Sequence, residues 1–187
     1  APTASAQSIR LDGYRMAETP ADGFAVSRPD DLGHLALGVR LDVDYALSPL
    51  VYRLRGSDPS SEVAPIVEHL LAAQLGVSFG LFERLVISAG VPFHLVMDGA
   101  AIDGQPRADG TSVGDVYLGV RGRLFGEKED PFALSLQVTG PAPTARAARF
   151  QSRFAGEGGF TIHPEILMEV RIAGIVRLTG NAGALVR

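Results

Sequence analysis

Gly76-Val77-Ser78-Phe79-Gly80 has the G-x-S-x-G spacing of a nucleophile elbow. That chemistry needs a sharp strand-to-helix turn that exposes the serine. Here the motif lies inside an alternating run, with Leu75, Val77 and Phe79 opposing Gly76, Ser78 and Gly80. It reads as a strand with one small-residue face, not as a hydrolase centre. The histidines His34, His69, His94 and His163 lack the i, i+4 or cysteine-paired spacing of a zinc site. Asp98, Asp103, Asp109 and Asp115 recur through a Gly-rich stretch without EF-hand spacing. A solvated loop is expected there, with calcium or lipopolysaccharide-bridging cations as the alternative. Gly156-Glu157-Gly158-Gly159 lacks the lysine and the following helix of a phosphate loop. Arg146, Arg149 and Arg153 are placed to meet lipid phosphates or open water. No catalytic, cofactor-binding or metal-ligating set can be assembled, and no enzyme is expected.

The polar residues that recur at one strand parity form a different kind of set. Arg40, Asp42, Asp44, His94, Asp115, Arg121, Arg123, His163, Glu165, Glu169, Arg171 and Arg177 all oppose apolar neighbours. Inside a closed barrel, charges of both signs would meet across a lumen and pair. On a soluble surface they would form a solvated face.

The bulk composition narrows the choice. The chain has 187 residues, 46% hydrophobic and 20% charged, with a net charge of −4 and no cysteine. Disulfides and thiolate chemistry are excluded. No basic run exists, so nucleic acid is not an expected partner. No stretch of about 18 apolar residues is present, which excludes a membrane helix but not a barrel.

The elements that must carry these residues are alternating strands. Leu35, Leu37, Val39, Leu41, Val43 and Tyr45 share one face of a strand running to Leu47, with Ser48-Pro49 as a tight connection to a second strand over 50–55. A strand over Val67–Leu81 is preferred to a short helix at its start. Further strands are expected over Leu85–Met97, Val113–Phe125, Phe132–Thr139, Glu157–Ile172 and 175–187. Met97 is placed on the same face as Leu85, and 98–112 and 140–156 are read as long loops. The connections after Leu47, Leu81, Phe125 and Ile172 are short, and those after Arg55, Met97 and Thr139 long. The runs exceed the usual strand length of about 5–6 residues. Transmembrane barrels place short turns at one rim and long loops at the other.

The expected fold is therefore an all-β, antiparallel up-and-down transmembrane β-barrel of about 8–10 strands, whole or as a fragment of a larger barrel. The alternative is a soluble secreted β-barrel or sandwich that binds an apolar ligand. Residues 1–7 are read as a signal-peptide remnant or disordered N-terminus, with Ala4-Ser5-Ala6 in small-x-small form. Residues 8–34 are read as an irregular segment that either adds a strand or threads the lumen, and residues 35–187 as the barrel. If long loops are extracellular, the strand at Leu35 begins outside and runs inward.

"GHLALGVRLDVDYALSPLVYR", "LGVSFGLFERLVISAGVPF", "VGDVYLGVRGRLF" and "FAGEGGFTIHPEILMEV" follow one another along the chain. In this order they resemble the N-terminal β-barrel of outer-membrane protein A family proteins of the myxobacterial type. The second segment is also similar, more weakly, to outer-membrane transporter barrels for aromatic compounds. The resemblance implies an outer-membrane location in a Gram-negative envelope, porin-like architecture and contact with the bilayer and lipopolysaccharide. It also implies a truncated chain whose missing C-terminal domain links to peptidoglycan. Departures are the C-terminal Arg187 in place of an aromatic residue, the absence of Trp, and an aromatic content of only 7%. The function expected is a structural anchor or passive small-solute channel.

Overall fold

The structure, a computed structural model, describes residues 15–52, 64–99, 109–142, 144 and 161–186. Residues 1–14, with the signal-remnant reading, lie outside these, as do Asp103, the Arg146/Arg149/Arg153 cluster and Gly156–Gly159. Among the described residues there is no helix. One antiparallel sheet, curled into a half-barrel, is built from β1 (Leu37–Tyr52), β2 (Ala64–Leu81), β3 (Leu85–Asp98), β4 (Asp109–Val113), β5 (Val116–Phe125), β6 (Phe132–Ala142), β7 (His163–Ile172) and β8 (Val176–Gly183). Its strand order is β1-β2-β3-β5-β6-β7-β8, and β4 also pairs with β3. β4 and β5 are one lane interrupted at Gly114-Asp115, where the Gly114 N–H donates to Pro92 O at 2.9 Å. Among the described residues β1 and β8 are the two edges.

Three turns, 82–84, 126–131 and 173–175, lie at one rim, and the strand ends that the longer connections join, Tyr52 and Ala64, Asp98 and Asp109, Ala142 and His163, lie at the other, the long-loop rim. The short turns have backbone reasons. Phe82 and Glu83 both take φ 54°, as the two central residues of a type I′ turn require, and Arg84 N–H closes it on Leu81 O at 3.2 Å. Ala173 and Gly174 repeat this at the β7–β8 turn, with φ of 52° and 69°.

Four expectations change. Ser48-Pro49 is not a connection: β1 continues through it to Tyr52, with register shifts around Leu50 and Ser48 at φ 49°. Proline cannot donate to the ladder, so the strand bulges instead of turning. The Leu35 strand therefore runs from the short-turn rim toward the long-loop rim, the reverse of the expected direction. Met97 also changes face, because a register shift between His94 and Met97 leaves Leu95 and Val96 both exposed and turns Met97 inward. There it packs with Val67 and Leu70 in a small buried apolar cluster. Lastly, the expected loop over 98–112 contributes β4.

The two sheet faces differ sharply. Alternate residues Leu37, Val39, Leu41, Val43, Tyr45 and Leu47 are 57–67% exposed. Leu75, Val77, Ile87, Leu118, Val120, Leu136, Val138, Ile166, Met168, Val170 and Leu178 continue this apolar convex face. The opposite parity lines the concave face, where Gln74, Ser78, Ser88, Arg121, Ser135, Gln137, Glu169 and Arg171 are buried.

Candidate functional site

Residues 15–34 lie along the concave face as an irregular strap. It joins β1 at the short-turn rim, where Leu35 N–H donates to Gly80 O at 2.8 Å and Gly80 N–H to Ala36 O at 2.9 Å. The strap can lie so close because the facing residues lack side chains. A Cβ at Gly38 would sit 2.7 Å from Pro20 Cδ, and one at Gly76 or Gly80 would collide with Met16 or with Gly33 and Leu32. Among residues 15–34 no strand forms; residues 8–14, which the added-strand reading also used, lie outside the described residues.

Charge holds the strap. Glu169 on β7 is fully buried. Its carboxylate accepts from Arg28 Nε at 2.7 Å, Arg28 Nη2 at 3.1 Å, Arg171 Nε at 2.6 Å and Thr179 Oγ1 at 3.1 Å. Arg171 also donates from Nη2 to Asp30 Oδ1 at 2.5 Å and from Nη1 to Glu127 O at 2.5 Å. Arg28 in turn pairs with Asp30 Oδ2 at 2.7 Å.

Arg121 on β5, 2% exposed, is a second centre. It donates from Nε to Gln137 Oε1 at 2.7 Å, from Nη1 to Asp22 Oδ1 at 3.0 Å, and from Nη2 to Asp22 Oδ2 at 2.8 Å and Glu18 Oε2 at 3.0 Å. Glu18 also accepts from Ser27 Oγ at 2.5 Å and Arg15 Nη2 at 2.7 Å. Arg15 reaches Glu165 Oε2 at 2.9 Å and contacts His163 Nδ1.

The remaining expected polar residues are placed less uniformly. Arg40 and Asp42 are half-buried and pair at 2.7 Å, and Arg40 also donates to Gly23 O at 2.9 Å and Phe24 O at 2.8 Å. Arg123 is half-buried against Asp31 at 2.7 Å. His94 is buried, with Nδ1 3.0 Å from Ser112 Oγ, and Asp115 is buried at the β4–β5 break. Asp44, His163 and Glu165 are half-buried. Arg177, on edge strand β8, is exposed and has no polar partner among the described residues. Ser78 sits within β2 with Oγ 3.5 Å from Gly38 O, flanked by strand and not by a turn. Among the described residues no three His, Asp or Glu side chains converge as metal ligands.

The strap's own residues are what the sequence reading missed: Arg15, Glu18, Asp22, Arg28, Asp30 and Asp31. Their signal was available. A segment without strand periodicity that carries six charges within 17 positions needs counter-charges, and the inner parity of β5 and β7 supplies them. Chemically, the assembly is a polar concave face covered by its own chain and backed by an apolar convex face. Comparison with family models, curated proteins and solved structures finds no match.

Proposed function

We propose that the chain is an outer-membrane β-barrel module that acts as a structural anchor with a self-filled interior. The observation that carries this reading is the segregation of the two faces. Aliphatic side chains that a soluble protein would bury are outside, while Arg121, Glu169 and Arg171 are within. Water is a poor solvent for the first set. Hydrocarbon is a good one. Leu37 to Leu47 spans about 25 Å of height at the usual rise and tilt of barrel strands, about the height of the lipid-facing band. Glu68, 55% exposed at the side chain, marks its upper border. At the short-turn rim His34 stacks on Phe82 with ring centroids 5.8 Å apart, and Phe125 lies 6.2 Å from Phe132, as a sparse interfacial girdle. The resemblance to outer-membrane protein A family barrels points the same way, with the long loops facing lipopolysaccharide and a peptidoglycan link elsewhere in the protein.

Solute passage is the secondary function of such a module, and the strap opposes it. A soluble carrier of apolar ligands would need an apolar interior, and the concave face offers mainly Arg, Glu, Gln and Ser. The test is reconstitution. The protein is expected to need detergent for monodispersity, to float with liposomes, and to give negligible steady conductance. A monodisperse detergent-free protein that stays out of liposomes overturns the reading, and steady conductance replaces the anchor by a channel.

A further inference from the structure

We propose that His34 is a pH-sensitive latch, which holds the corner between the strap and β1 while its ring is neutral and lets it open when the ring is protonated. The inference stands on the strap and the sheet alone, whichever medium wets the convex face.

Phe82 is the first central residue of the type I′ turn over 81–84, so its N–H takes no part in the turn's own hydrogen bond. That N–H donates to His34 Nδ1 at 3.1 Å. A ring nitrogen accepts only through a free lone pair, so the proton of the neutral ring is on Nε2. Protonation puts hydrogen on both nitrogens and sets a donor against a donor. The ring also stacks on Phe82, with 29° between the planes. That stack tolerates a cation, so the hydrogen bond is the part that switches. The corner needs holding. Leu35 takes φ 55°, a left-handed conformation that is costly for a residue with a side chain. Apart from His34, the backbone bonds between Leu35 and Gly80 and between Gly80 and Ala36 secure it.

The surrounding charges do not compensate a protonated ring. The β2–β3 turn carries Glu83 and Arg84, β5 carries Arg123, and the strap carries Asp31. Asp31 is committed to Arg123 at 2.7 Å and to Gly33 N–H at 2.7 Å. Arg123 also donates to Glu83 O at 2.6 Å. Among the described residues no carboxylate is in ion-pair contact with the His34 ring. The other three histidines lack this one-way character. His69 meets the Tyr45 hydroxyl at 2.6 Å and His94 the Ser112 hydroxyl at 3.0 Å, and a hydroxyl can reverse its role. His163 faces Arg15, but Glu165 Oε2 lies 3.4 Å from the same nitrogen and would pair with the protonated ring. A backbone N–H can do neither. Histidine is the side chain that ordinarily changes charge between pH 5 and 8. Loss of this bond leaves the strap's ion pairs with Arg121 and Glu169 in place and loosens residues 33–36 alone.

The test is amide hydrogen exchange on the full chain, in detergent or in buffer, whichever keeps it monodisperse. Protection is corrected for the intrinsic pH dependence of exchange. The Phe82 amide should be about fivefold less protected at pH 5 than at pH 8, the weight of one modest hydrogen bond, and the Leu35 amide should follow it. His34→Asn keeps an acceptor near the Nδ1 position without titrating, and should protect Phe82 equally at both pH values. His34→Phe keeps the stack but has no acceptor, and should leave Phe82 poorly protected at both. On the unsubstituted protein, the ring nitrogen shifts should report the Nε2–H form at pH 8, a measurement that needs no variant to fold. An Nδ1–H ring at pH 8, equal Phe82 protection at pH 5 and pH 8, or the same acid loss in His34→Asn overturns the proposal.

Discussion

Glu169 is the residue on which most of the interior converges, because its two oxygens serve Arg28 of the strap, Arg171 of its own strand and Thr179 of β8. Removing it leaves Arg28 and Arg171 to share the single carboxylate of Asp30. Glu169→Ala is expected to cost about 3–5 kcal/mol in urea unfolding, the usual loss when one partner of a buried ion pair is deleted. Arg40, Arg121, Glu169 and Arg171 could be singled out from strand parity alone. The strap partner of each could not, because pairings that range from 16 positions apart at Arg40 to 141 at Glu169 and Arg171 depend on where an aperiodic segment folds back.

At the level of elements, periodicity identified the strands, and the errors fell where the period breaks. Ser48-Pro49 carries the usual mark of a turn, yet the ladder resumes on the same partner strand at Leu50–Val67, which no local pattern encodes. One extra residue at Leu95 likewise moves Met97 across the sheet. The strap imposes its own test on the glycines. Gly38→Val has no room beside Pro20 and Ser78 and is expected to cost about 1–3 kcal/mol while exposing residues 15–34 to protease. Gly180→Ala meets nothing within 4 Å and should leave both readouts unchanged.

For the molecule as a whole, the apolar convex face decides what medium surrounds it. Val120, half-exposed in the middle of that face, distinguishes the two environments. On a water-exposed surface Val120→Arg would change stability by no more than about 0.5 kcal/mol. At a bilayer midplane it costs about 2–4 kcal/mol. Reduced recovery of the variant in floated liposomes, with unchanged expression, is the expected result.

The sequence separations within the strap network add a kinetic requirement. Asp22 waits for Arg121, 99 positions later, and Arg28 waits for Glu169, 141 positions later. A segment made before the sheet is thus among the last to be secured. Loop-closure entropy makes such remote pairings slow, so residues 15–34 must stay charged and unfolded until the far half of the sheet exists to receive them.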